Sequence, residues 1–148
     1  MSEDPDKRIK FGIITERERK DFIPIYMNYR VKTGSPGNVA GKVDTDGYLA
    51  RFWREPSSNH LLWIQMGDDR IGFVSVIVDG TSGLVSDFHI FENIQSENLE
   101  RDVVEELIHF SRYRGIKELK VERGLNDLDE FLSEKGFEES GGFLVGSL

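Results

Sequence analysis

The sequence predicts an α/β fold of the mixed α+β kind: a mostly antiparallel sheet of about six or seven strands flanked by about four helices. Two patterns predict it. Three strand-like runs follow one another through short, polar, Gly-containing turns, which marks an antiparallel meander. After them helical and strand periodicities alternate, so helices must cover the faces of the same sheet. A chain of 148 residues, 38% hydrophobic and 31% charged, suits one domain. Residues 1–7 read as a solvated tail and residues 8–148 as that single domain.

Each element has its own signal. Between Arg8 and Ile14, alternating Ile9, Phe11 and Ile13 predict a half-buried strand. Thr15 can cap a helix that runs to about Val31 with Phe22, Ile25, Tyr26 and Tyr29 on one stripe. Lys32 to Gly47 holds Gly34, Pro36, Gly37 and Gly41 and reads as a long loop. A short helix from Tyr48 to Arg54 then stops before Pro56. The meander strands are His60 to Met66, Ile71 to Val78 and Leu84 to Phe91.

A helix from about Glu97 to Arg114 follows, with Leu99, Val103, Leu107 and Phe110 on one face and Gly115 as its stop. Ile116 to Glu122 alternates as a strand, and Asn126 to Lys135 is a short helix closed by Gly136. Phe137 to Leu148 is the last strand, bent at Ser140-Gly141-Gly142. The predicted order is β-α-α-β-β-β-α-β-α-β. The turn between the third meander strand and the Glu97 helix falls at a sheet crevice, where such folds tend to bind ligands.

Composition narrows the chemistry. With no cysteine, the chain has no disulfide, thiol nucleophile or thiolate metal site. Its three histidines are scattered, which does not make a metal centre. No apolar run approaches the ~20 residues of a membrane span, and the first residues lack a signal-peptide core, so the cytoplasm is the simplest location. A net charge of −8 repels nucleic acid and anionic membrane and favours amine-bearing partners.

Two segments carry a family likeness. Asp102 to Val121 (DVVEELIHFSRYRGIKELKV) and Phe131 to Phe137 (FLSEKGF) resemble the corresponding helices of the acyl-CoA N-acetyltransferase (GNAT) superfamily. The resemblance implies acetyl-CoA as cofactor. It implies a thioester arm lying beside Phe88 and Ile90, and phosphates held at Gln95, Ser96, Asn98 and Arg101. Asn126 matches the family's asparagine before the last helix after a one-residue shift.

The likeness also has departures. Asn98 and Glu100 stand where the family's phosphate loop has glycines, although asparagine tolerates the left-handed conformation. Glu97 and Glu100 place carboxylates in the helix's first turn, stabilising the helix but opposing a bound pyrophosphate by roughly 2–3 kcal/mol per close charge. Ser96 is a plausible cap there. Leu132 occupies the position of the family's proton-donating tyrosine.

Asp87 and His89 point to the same strand face and are the candidate bases for deprotonating an amine; alternatively they are polar groups on a half-exposed strand. His60 fits a strand edge, and His109 a solvated helix flank. Lys120 and Glu122 sit near a strand end, Glu122 within reach of the cleft. Tyr48, Phe52, Trp53 and Trp63 either line an acceptor pocket or form core.

Two functions follow. One is an N-acetyltransferase acting on a small-molecule or peptide amine, with no nucleic-acid or membrane partner, and compatible with a homodimer. The other is a catalytically inactive module of the same fold that binds a protein or small molecule.

Overall fold

The computed structural model describes residues 8–33, 41–91, 94, 98–124 and 128–148. Strand β1 (Ile9–Ile13) leads through a 3-10 turn (Glu16–Glu18) into helix α1 (Arg19–Thr33), then α2 (Gly41–Arg54). The meander is β2 (Asn59–Met66), β3 (Asp69–Asp79) and β4 (Ser82–Ile90). Helix α3 (Leu99–Tyr113), strand β5 (Glu118–Glu122), helix α4 (Leu128–Glu134) and strands β6 (Glu138–Ser140) and β7 (Phe143–Ser147) complete the chain.

The strands form one sheet in the order β1-β2-β3-β4-β5-β7-β6. Every neighbouring pair is antiparallel except β4 and β5. Each face carries its own apolar layer. One packs Leu62, Ile64, Val74, Val76, Val85 and Phe88 against α3 and α4 through Val103, Leu107, Leu128 and Leu132. The other packs Leu61, Trp63 and Phe73 under α1 and α2 through Phe22, Tyr26, Tyr29, Leu49 and Phe52. Strands buried on both faces explain why the meander reads as near-continuous apolar runs.

Thr15 caps the 3-10 turn that leads into α1. Its backbone N–H donates to Glu18 Oε1 at 3.0 Å, closing a capping box. Trp63 Nε1 donates to the other Glu18 oxygen at 3.2 Å, and Arg70 pairs with that oxygen while its guanidinium stacks over the Trp63 ring. The box thus ties the entrance of α1 to the centre of the sheet.

Several expectations are corrected. Lys32 to Gly47 is not one long loop: α1 continues to Thr33, α2 already begins at Gly41, and only residues 34–40 fall outside the described residues. Glycines at Gly41 and Gly47 each cost a helix up to about 1 kcal/mol, but burial of Leu49 and Phe52 outweighs that. The last strand is two strands. Gly141 (φ 57°) and Gly142 (φ 87°) both take the positive φ of a two-residue hairpin turn, folding β6 back on β7. Helix α4 is described from Leu128, and the start expected at Asn126 lies outside the described residues. His60 is no strand edge either: it is 7% exposed at the start of β2, its ring edge-on to Phe110.

The outer strands differ. β6 is three exposed residues, two of them glutamates, whereas β1 ends in Ile13, which is 66% exposed.

Burial pushes the Glu18 carboxyl up, but hydrogen bonds from Thr15, the Arg70 charge and Trp63 N–H outweigh it and hold its pKa below the ordinary 4.5. A depressed folded pKa contributes stability above the unfolded value and loses it as pH falls through the folded one. We expect Glu18→Gln to cost about 1–2 kcal/mol at pH 7 in urea unfolding, and the gap from the parent to close below about pH 4.5. A gap that stays constant with pH would rule out this role.

Candidate active site

The site begins where two neighbouring strands part. β4 and β5 pair in parallel only from Ser82 opposite Glu118 to Val85 opposite Val121. Beyond Val85, β4 continues to Ile90 beside β3 alone among the described residues. At the parting point β4 bulges: Val85 faces Val76 and Asp87 faces Ser75, leaving Ser86 as the extra residue. The bulge shifts the alternation, so Val85, Phe88 and Ile90 all join the α3/α4 layer while Asp87 and His89 face α1.

Backbone direction follows from one bond. Phe91 N–H donates to Ile71 O at 2.8 Å across to β3. Antiparallel alternation therefore turns the N–H groups of Phe88 and Ile90 to the edge that β5 has left. β3 lies tight against this stretch, since a Cβ on Gly72 would overlap the His89 carbonyl oxygen.

The α1 side of the parting carries a buried polar cluster. Asp87 is 1% exposed; Tyr26 Oη donates to its Oδ1 at 3.1 Å and Ser75 Oγ to its Oδ2 at 3.0 Å. Ser75 Oγ in turn accepts the Asp87 backbone N–H at 3.1 Å. One turn along α1, Tyr29 Oη accepts the Phe88 N–H at 3.4 Å. His89 is half-buried among the rings of Tyr29, Phe73 and Phe91, with centroids 5.3–5.8 Å away. A carboxyl group taken fully from water needs such partners, and buried polar groups of this kind gather at functional sites.

The N-terminus of α3 forms the other side. Asn98 takes the left-handed conformation (φ 64°, ψ 15°), as an asparagine at a glycine position can. The helix cap is Asn98, whose carbonyl accepts the Asp102 N–H at 2.9 Å. Glu100 and Asp102 stand in the first turn. Arg101 donates to Asn98 Oδ1 at 3.3 Å, lies 3.8 Å from Glu134 and rests over the Phe131 ring. Its charge is therefore shared with an acid on α4.

The expected site residues divide clearly. Phe88, Ile90, Asp87 and His89 converge on the free stretch of β4, and Asn98 and Arg101 mark the start of α3. Gln95, Ser96 and Asn126 lie outside the described residues, as do Glu97 and the Tyr48 side chain. Asp87 is not on a half-exposed strand but inside the protein. Phe52 and Trp63 are core, at 3% and 2% exposure, while half-buried Trp53 donates to Ile14 O at 3.1 Å. Glu122 and Lys120 are exposed, His109 is exposed, and Leu132 is buried in the α3/α4 layer.

Sequence reading overlooked Tyr26 and Tyr29 as site residues. The signal was there: two tyrosines on a buried stripe bring hydroxyls that need partners. Among the described residues no cluster of histidine and carboxylates could hold a metal ion, and no helix is long and apolar enough to cross a membrane.

We expect Tyr26→Phe, which keeps the ring and removes a donor to a buried carboxyl, to destabilise by about 1–3 kcal/mol. Asp87→Ala leaves two hydroxyls without their acceptor and should cost more. Urea unfolding of both variants checks this, and changes under about 0.5 kcal/mol would dismiss the cluster as a stabilising unit.

No protein-family model and no curated protein sequence matches the chain. Solved structures do. The PaiA N-acetyltransferase of Thermoplasma acidophilum, solved with coenzyme A, superposes with a TM-score of 0.68 at 13% identity, covering 95% of this chain and 99% of that one. YncA of Salmonella typhimurium, solved with its cofactor acetyl-CoA, gives 0.68 at 18% identity over 95% and 94% of the two chains. A Salmonella typhimurium acetyltransferase that modifies the N-terminal serine of ribosomal protein L7/L12 gives 0.60 at 10% identity over 95% of each. Likeness at such low identity over nearly whole chains is a likeness of architecture, and by it the chain has the GNAT acetyltransferase fold.

Proposed function

We propose that the chain is an acyl-CoA-dependent N-acetyltransferase acting on an amine-bearing small molecule or peptide. The observation that carries this reading is the parting of β4 from β5, which leaves the Phe88 and Ile90 backbone N–H groups on a strand edge that β5 does not cover. An extended, amide-containing arm fits such an edge, because it can take the place of the missing strand. The start of α3 fits a phosphate in part: the left-handed Asn98 opens backbone N–H groups there, while Glu100 and Asp102 oppose negative charge. The relatives solved with coenzyme A and acetyl-CoA support that ligand class here.

Bound there, acetyl-CoA supplies an acyl carbon activated as a thioester. The chain's own residues would do the rest. The edge N–H groups orient the acyl group. His89, half-buried beside that edge, is the better placed base for taking a proton from the acceptor's ammonium group, which frees the amine lone pair to attack. Asp87, fully buried and engaged by Tyr26 and Ser75, instead anchors α1 to β4. A carbon–nitrogen bond forms, the carbon–sulfur bond breaks, and a proton from the amine ends on the departing sulfur.

A second reading, a ligand-binding module without catalysis, is favoured by the acids in the first turn of α3 and by Leu132, an apolar core residue at the position where the family resemblance implies a proton donor. Calorimetric titration with acetyl-CoA separates the two. We expect binding, together with acetylation of a polyamine or peptide amine that falls about tenfold or more in His89→Ala. Glu100→Gln should tighten acetyl-CoA about fivefold, the effect of removing one screened charge. Binding without turnover on any amine favours the module, and no binding at millimolar ligand removes the enzyme reading.

A further inference from the structure

A cavity of about 230 Å³ lies at the β1 margin of the sheet, where β1 ends, α2 ends and β2 begins. Ile13, Phe52, Trp53, Pro56 and Leu61 give it a largely apolar wall. It shares no residue with the parting, and β3 stands between its nearest strand and β4.

Most polar side chains in that wall already have partners. Trp53 Nε1 donates to Ile14 O, and Thr15 Oγ1 to Glu18 Oε1, each at 3.1 Å. Asn59 is engaged at both ends: Oδ1 accepts from Arg51 Nε and Nδ2 donates to the Glu55 carbonyl, again at 3.1 Å. His60, which also lines the cavity, differs. Its side chain is buried, yet among the described residues nothing hydrogen-bonds to the ring; its neighbours are the Phe110 ring at 5.6 Å and the Arg114 charge. Burial, and after it that charge, hold its pKa below the ordinary 6.5. At neutral pH the imidazole is therefore uncharged, with one N–H to donate and one bare nitrogen to accept.

Water serves such a cavity poorly. Most of the wall offers it no hydrogen bond, while a buried ring nitrogen without a partner is costly. Ile13 on the rim is 66% exposed, so apolar surface is left to solvent there as well. A ligand with an apolar ring and one polar group removes both costs. A cavity of about 150 Å³ takes benzene, so this one has room for a ring with a short substituent. Charge narrows the choice further: Glu16 on the rim opposes an anion, and Arg19 over the Trp53 ring opposes a cation.

We propose that this cavity binds a small uncharged phenol, its ring against Ile13 and Trp53 and its hydroxyl donating to the bare nitrogen of His60. The site does not rest on the acetyltransferase reading, and neither stands or falls with the other.

Titration of the nitrogen-15-labelled full chain with 4-methylphenol, followed by nuclear magnetic resonance, tests this. The Trp53 indole N–H signal should shift saturably, with half-saturation at or below about 1 mM. Toluene, which keeps the ring and lacks the hydroxyl, should bind about fivefold more weakly. In His60→Phe the two probes should bind alike, with toluene within about twofold of its affinity for the parent protein. No saturable shift at Trp53 overturns the site, and equal affinity of both probes for the parent protein overturns the role of His60. A preference for 4-methylphenol that survives in His60→Phe also overturns that role. The first two outcomes are read on the parent protein, so they hold even if the variant does not fold.

Discussion

Half of β4 has a neighbouring strand on one side only, among the described residues. Backbone N–H and C=O groups in a protein interior need partners, and a sheet normally supplies them from both sides of a strand. Up to Val85 it does so here. Past that residue, among the described residues, β3 is the one strand beside β4 and the opposite edge carries none. The bulge at Ser86 marks the change, and it also reverses which side chains face which layer. Phe88 and Ile90 thus strengthen the α3/α4 layer, while Asp87 and His89 turn toward α1.

The α1 layer answers with hydroxyls. Tyr26 and Tyr29 belong to an apolar layer of Phe22, Leu49, Phe52 and Phe73, yet each presents oxygen to β4. Asp87 shows why this matters: its side chain lies wholly within the protein and is held by two hydroxyls from different elements. The Glu18 box performs a similar service at the other end of the helix, through Trp63. Helix α1 is therefore joined to the sheet by polar contacts at both ends and by aromatic packing between.

Much of this was legible in the sequence, for a physical reason. Strand alternation, the Gly-containing turns and the leucine and valine stripe of α3 are local signals, and the meander and α3 lie close to where they place them. Asn98 was legible in another way: aligned with a glycine, it does adopt a left-handed backbone. What escaped was set by distant partners or by packing against propensity. The first half of α2 holds two glycines and gains its helix from burial of Leu49 and Phe52 further along. The hairpin between β6 and β7 was a local signal passed over, since adjacent glycines between strand-like runs favour a two-residue turn. Asp87 on a strand reads as a surface residue until Tyr26, 61 positions away, is brought against it.

The unequal margins of the sheet bear on where a further strand could add. At one side β6 is brief and its glutamates repel a copy of themselves, so another strand gains little by docking there. At the other, β1 runs for five residues, pairs among the described residues with β2 alone, and ends in an exposed isoleucine. Of the two margins described, β1 is thus the one that offers a further strand unpaired backbone groups, and a lysine in place of Ile13 would make it less receptive.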